Sequence, residues 1–307
     1  RETNDNDDQS FKIKLISNRS KINTVTYLIS FLEYCPFWIF IKIMQLFKFR
    51  LRISISSKII SFILRNTPKY KKRVFNNLSL IYPEMSVFEK NTFLKNFSNN
   101  LGLTFSEFLF NEEYHKFQNV KLNDDSQITE IIEAIKINRP VLIVSGHIGP
   151  WEAVRALFKR NGIETAAVYR KSKNIFYQPY HHNSIEAGGK PIFQVGRSGT
   201  TAMIKHLKQG GVVCMMIDQA VSEGKYIDFM GFPAKTSLAI ASIAIKYNAL
   251  IIPAYALRKN ENLVEIQIEP SVTLSNPSKI MRELNLSLEN IITKSPSQWY
   301  WIHNRWK

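Results

Sequence analysis

The sequence predicts an α/β fold, a mainly parallel central sheet flanked by helices, preceded by an N-terminal helical, membrane-associated segment. Three observations carry this expectation. From Pro140 onward, short β-branched runs alternate with helical periodicity, the pattern of strand–helix–strand units whose sheet is covered on both faces. Residues 52–118 show apolar residues at spacings of three and four and few strand signals, which is helical. Residues 25–49, VTYLISFLEYCPFWIFIKIMQLFKF, form the most apolar stretch of the chain. With 307 residues, 45% of them hydrophobic, a sizeable core can be buried and wholesale disorder is excluded.

In chain order, the polar opening RETNDNDDQS makes residues 1–22 a disordered lead, without the apolar run and small-residue cleavage site of a secretory signal. The apolar stretch at 25–49 reaches the roughly 20 residues a spanning helix needs. Glu33, Pro36 and Lys42 interrupt it, while Tyr34, Phe37 and Trp38 suit an interface. A tilted spanning anchor and a helix lying in one leaflet both fit. A buried core helix is the alternative, burdened by the same charges. Lys69, Lys71, Lys72 and Arg73 then form either a solvated face or a contact for anionic headgroups. The helical region is bounded at 23–118 and the α/β region at 119–307.

Within that second region, VLIVSG (141–146) is a strand and WEAVRALFKR (151–160) a helix closed by Asn161 and Gly162. TAAVYR (165–170) is the next strand, and TTAMIKHLKQGG (200–211) a helix with a glycine stop. VVCMMID (212–218) is a strand, SLAIASIAIKYN (237–248) an apolar helix and ALIIPAYALR (249–258) another strand. LVEIQIEP (263–270) alternates as an edge strand does. A helix over 277–294 precedes an aromatic tail. His181 and His182 fall in a polar loop.

The charge balance is 41 Lys and Arg against 25 Asp and Glu, a net of +16. That excess favours nucleic acid, an anionic membrane face or a phosphorylated substrate. No zinc-finger spacing, RNP-like box or recognition helix is evident, so nucleic acid is not an expected partner. The two cysteines, Cys35 and Cys214, lie far apart and suggest neither a disulfide framework nor a zinc site.

The sharpest local feature is SGHIGPWEAV, which places His147, Gly149, Trp151 and Glu152 at a strand-to-helix turn. In a parallel sheet such turns open at the C-terminal strand ends, where ligands bind. Gly146 and Gly149 allow a tight turn and close substrate approach. Glu152, in the first helical turn, is placed to reach back to the His147 ring. A carboxylate on one ring nitrogen selects the tautomer and leaves the other nitrogen as a base. The competing reading is a core histidine satisfied by a neighbour, with Glu152 complementing the helix dipole. A metal site is disfavoured, since no third ligand has sensible spacing.

HIGPWE resembles the H-x-G-x-W-E form of the H-x4-D/E motif of glycerolipid and lipid A acyltransferases. VYR at 168–170, GRSG at 196–199, IDQ at 217–219 and MGFPAKTS at 230–237 are similar to further family segments and follow in the same order. NLSLIYPEMS (77–86) and the closing SQWYWIHNRWK (297–307) resemble others. The resemblance spans roughly residues 25–307 and implies a glycerolipid acyltransferase-like α/β fold. It implies a His147–Glu152 catalytic dyad, an acyl carrier protein or coenzyme A thioester donor, and a phosphorylated lipid A precursor as acceptor. It implies no metal or cofactor, and a site at the cytoplasmic face of the inner membrane. The sequence departs from the pattern at Ile148–Gly149–Pro150, where members commonly carry Phe–Gly–Asn.

Arg170, at a strand end, and Arg197, in a glycine-flanked loop, suit a phosphate or the thioester oxyanion. Either also suits a surface salt bridge. Asp218 closes a strand and is expected to orient one of these arginines or the acceptor, or simply to form a turn. Gly231 and Pro233 suit a turn before the next helix, which Thr236 and Ser237 suit as caps. Trp299, Trp301 and Trp306 are expected as core and interface aromatics, and Arg305 and Lys307 at headgroups. Alternatives to a lipid A acceptor are another glycolipid or phospholipid, of phosphatidylinositol mannoside or ornithine-lipid type. A non-catalytic basic membrane-surface protein is the alternative from another class.

Overall fold

The structure, a computed structural model, describes residues 23–117, 120–122, 125–260 and 263–306. The lead expected at 1–22 lies outside the described residues. The chain divides into two compact units. One takes in the described residues of Arg1–Phe47 with Ser172–His182; the other is Lys48–Lys171 with Asn183–Lys307. The helices that follow residue 48 therefore belong with the α/β region.

In the first unit, Asn23 caps helix α1 (Thr24–Gln45) by accepting a hydrogen bond from the Val25 amide at 3.1 Å. Phe176 sits against Tyr27, Phe31 and Tyr34, while Phe37 meets Tyr177 and Tyr180. Asn174 donates to the Ser30 carbonyl at 2.8 Å. Among the described residues α1 is the one helix long and apolar enough to cross a membrane, and few of its side chains are buried.

The second unit opens with α2 (Phe49–Asn66), α3 (Pro68–Ile81), α4 (Val87–Leu109) and α5 (Asn111–Phe117). Pro68 starts α3, where its missing N–H costs nothing. Ser86 and Glu89 close a reciprocal capping box at the start of α4.

The strands and helices that follow are β1 (Val120–Leu122), α6 (Ser126–Lys136), β2 (Val141–Ser145), α7 (Glu152–Arg160) and β3 (Thr165–Tyr169). Next come α8 (Tyr177–Glu186), β4 (Ile192–Gln194), α9 (Arg197–Lys208) and β5 (Val212–Met216). The chain then forms the hairpin β6 (Lys225–Phe229) and β7 (Phe232–Thr236), followed by α10 (Ala239–Tyr247). It ends with β8 (Leu250–Asn260), β9 (Leu263–Ile268) and α11 (Pro277–Lys294).

Among the described residues, seven strands form one sheet in the order β1-β9-β8-β2-β5-β3-β4. All neighbours are parallel except β8 and β9. The mainly parallel sheet expected from the sequence is present. Every residue of β2 is buried, as a central strand covered on both faces requires.

Four local expectations need correction. The alternating strand β9 is not at the edge, because the three-residue β1 pairs beside it. Pro233 lies in β7, opposite Asp228, and only Met230 and Gly231 turn the hairpin. His181 and His182 lie in α8. Arg305 is fully buried, donating to the Lys235 carbonyl and the Thr236 hydroxyl at 2.8 and 2.7 Å with its plane over Phe229. An arginine spent on the hairpin cannot serve headgroups; Lys307 lies outside the described residues.

The tail's Trp299 and Trp301 are buried edge to face, 4.9 Å between ring centroids, as core aromatics. A bidentate pair of Glu107 and Arg258, at 2.8 and 2.5 Å, joins α4 to β8. Burial pushes the Glu107 carboxyl up, and Arg258 opposes that rise. Removing one partner strands a buried charge. Arg258→Met is therefore expected to destabilise the protein by about 3–5 kcal/mol, read as a lower denaturant midpoint, with Glu107→Gln/Arg258→Met recovering part of the loss.

Candidate active site

The turn after β2 is built around Gly149, whose φ of +53° lies in the left-handed region. A side chain there would collide with the Ala256 carbonyl. The Gly149 amide donates to the Gln298 carbonyl at 3.0 Å, and Thr104 donates to the Gly149 carbonyl at 3.2 Å. The turn is thus clamped by α4, β8 and the C-terminal tail. At Gly146 an added side chain would meet Leu288, so that glycine serves core packing.

This clamp presents His147, whose side chain is 21% exposed. Its ring Nδ1 lies 2.7 Å from Asp218 Oδ1, and its backbone amide donates to Asp218 Oδ2 at 2.8 Å. The Trp299 indole N–H donates to the same Oδ2 at 2.9 Å. Burial alone would raise the Asp218 carboxyl. The His147 ring, together with the His147 amide and the Trp299 indole, outweighs it and holds the group down at about 2. An ionised carboxylate has no proton to give, so the hydrogen between the two sits on Nδ1, and in the neutral ring that makes Nε2 the acceptor nitrogen. Trp151 and Tyr300 wall the ring, with centroids 5.3 and 5.7 Å away.

The carboxylate on the His147 ring is therefore that of Asp218, not Glu152. Glu152 accepts from Asn111 Nδ2 and Arg155 Nη1, each at 3.2 Å. Arg155, buried, also donates to the carbonyls of Ile185 and Gly189 at 2.8 and 2.9 Å. A side chain at Gly188 would strike both Glu152 and Arg155. The i,i+3 pair on α7 thus ties that helix to α5 and to the chain leading into β4, which turns Glu152 away from the ring.

His115 Nε2 lies 4.0 Å from Glu152, but the two do not form an ion pair. Burial, reinforced by Arg155, Lys159 and Arg160, pushes the His115 ring down to about 3 and keeps it neutral.

Sheet order assembles the other candidates. His147 follows β2, Asp218 follows β5, Arg170 follows β3 and Arg197 opens α9 after β4. These four strands are consecutive neighbours and parallel, so all four residues lie at their C-terminal ends. Both arginines are exposed. Gly196, at φ +134°, leads into α9, and Gly199, in the first turn of that helix, packs on the Gln194 carbonyl, so Arg197 stands at a helix start and not in the glycine-flanked loop expected. The sequence reading missed the His147–Asp218 pairing and the Trp299 contact. The strand-end aspartate was visible, but only strand order shows that β5 lies beside β2.

Residues 20–307 match the bacterial lipid A biosynthesis acyltransferase family. The chain belongs to that family. It is accordingly an acyltransferase of glycolipid biosynthesis, with a lipid-type acceptor. A lipid A biosynthesis acyltransferase of Haemophilus influenzae is 20% identical to it over 281 residues, 88% of this chain and 87% of the relative. A phosphatidylinositol mannoside acyltransferase of Mycobacterium tuberculosis is 22% identical over 166 residues, 52% of each chain.

The state of His115 in this acyltransferase gives it a defined acid response. With its folded pKa near 3 against 6.5 unfolded, the unfolded chain binds more protons between those values. His115 thus contributes stability that is complete above about pH 6.5 and is lost as pH falls toward about 3. His115→Gln is expected to flatten the fall in thermal midpoint across that window.

Proposed function

We propose that this acyltransferase moves a fatty acyl chain from an acyl carrier protein thioester to a hydroxyl of a phosphorylated lipid A precursor. His147 is the general base in this reading and Asp218 its orienting carboxylate. The observation that carries it is the pairing of His147 with the buried Asp218, which leaves Nε2 on the open side of the ring at the strand ends, where its neighbour is the Gln219 amide at 3.5 Å. Nε2 takes the proton of the acceptor hydroxyl as its oxygen attacks the thioester carbonyl carbon. The tetrahedral intermediate then collapses, the C–S bond breaks, and the leaving thiolate takes the proton back from the imidazolium. A base so placed contributes roughly 10²–10⁴-fold.

Arg170 and Arg197, exposed at the neighbouring strand ends, are assigned to an anionic part of the acceptor or to the thioester oxyanion. Glu152 holds the frame through Arg155 and Asn111 instead of touching the reacting atoms. The net charge of +16 suits an acidic carrier protein, an anionic bilayer and a phosphorylated acceptor. Helix α1 is assigned to the inner membrane, with the catalytic unit on the cytoplasmic side, and the mechanism uses no metal or cofactor.

The test is an acyl-transfer assay in detergent with carrier-protein thioesters of several lengths and a tetra-acylated lipid A precursor, product read by mass. His147→Ala and Asp218→Asn are each expected to lower kcat by roughly 10²–10⁴-fold. Glu152→Gln is expected to lower the thermal midpoint while keeping kcat within about tenfold. Trp299→Phe, which removes the indole donor and keeps most of the packing, is expected to lower kcat with KM unchanged. A Glu152→Gln loss as deep as that of His147→Ala would return the dyad to Glu152. The mycobacterial similarity gives the second reading an observation of its own. Product formed only on a phosphatidylinositol mannoside would establish it.

A further inference from the structure

Helix α2 is inside out for a protein surrounded by water. Its sequence, FRLRISISSKIISFILRN, places Leu51, Ile55, Ile59, Phe62 and Ile63 on one helical stripe. An amphipathic helix on a soluble domain turns such a stripe to the core. Here the opposite face is packed: Ser56, Ser57 and Ser61 are buried together with Ile53 and Leu64. They lie against α4, where a Cβ on Gly102 would stand 2.6 Å from the Ser57 carbonyl and 3.2 Å from Ser61 Cβ. Ser61 donates to Asn99 Oδ1 at 2.7 Å. Small residues at the contact let the two backbones approach closely, as in helix pairs surrounded by lipid. The large side chains are left outside: Leu51 is 51% exposed, Ile59 41%, Phe62 61% and Ile63 53%.

Charge identifies what covers this face. No acidic residue occurs between Glu33 and Glu84, whereas ten basic ones do. Of these, Lys58 and Arg65 lie on α2 along one border of the stripe. An apolar stripe bordered by cations matches a bilayer surface of acyl chains under anionic headgroups.

We propose that α2 is an interfacial helix. Its Leu51–Ile55–Ile59–Phe62–Ile63 face is sunk into an anionic phospholipid surface, which gives the catalytic unit a membrane contact of its own. The proposal rests on the reading of α1 as membrane-embedded, and the experiment separates the two.

The full-length protein receives photoreactive p-benzoylphenylalanine by Phe62→p-benzoylphenylalanine, an aromatic exchange at an exposed position. It is reconstituted in vesicles of phosphatidylethanolamine and phosphatidylglycerol, illuminated, and its adducts are read by mass. The same amino acid replaces Trp38, exposed on α1, and Glu133, exposed on α6, in separate proteins. Lipid adducts at position 62, about fivefold or more above those at 133 and enriched in phosphatidylglycerol over its molar share, are expected. Loss of that enrichment in Lys58→Glu/Arg65→Glu is also expected. Adducts at 38 but none at 62 overturn the proposal and leave α1 in the membrane. Adducts at neither position overturn both readings. Adducts of position 62 with a second copy of the chain overturn it in favour of a protein interface, and enrichment unchanged in the double variant overturns the anionic assignment.

Discussion

The Asp218 carboxylate is buried, ionised and occupied on both oxygens, and the arrangement of the site depends on it. One oxygen takes the ring of His147; the other takes that residue's own amide and the indole of Trp299. A buried charge in this state is tolerable only while every donor stays in place. The loop after β2, the end of β5 and the C-terminal tail are therefore held to one another by a single group. That coupling explains why a tail remote in sequence is packed with tryptophans. The tail buries the acid and supplies one of its donors.

A second buried pair does analogous work behind the turn. Glu152 and Arg155 share a helix, and between them they reach α5, the C-terminal part of α8 and the loop into β4. Gly188 leaves the space these side chains fill. Two carboxylates near one histidine thus take different parts, set by their surroundings. Asp218 is tied to the ring, while Glu152 neutralises a buried guanidinium. In the proposed mechanism the first tunes chemistry and the second maintains the scaffold on which the chemistry stands.

Much of the fold was legible because it is local. β-Branched runs closed by glycine, helices with caps, and the Gly–Pro turn after His147 all follow from backbone preferences within a few residues. The edge reading of β9 failed because alternation reports one solvated face and not the absence of a neighbour. The turn read at Pro233 failed because proline also fits a two-stranded ribbon, where one side of each strand needs no partner. Arg305 was misread because sequence shows a charge and not the Lys235 carbonyl and Thr236 hydroxyl of β7 that accept from it.

By itself, the sequence determined the α/β class, the strand-end histidine and the family resemblance, since each is written in short contiguous patterns. It also contained the apolar stripe and the serine face of α2. Which face would be buried was decided by α4, whose Gly102 accepts only a close, small-residue contact. The tertiary structure alone decided that Asp218 and not Glu152 meets His147. The two are 71 residues apart, and they become neighbours only because the chain crosses over to pair β5 beside β2. Hydrogen-bond partners across parallel strands follow from sheet order, and no local propensity encodes that order.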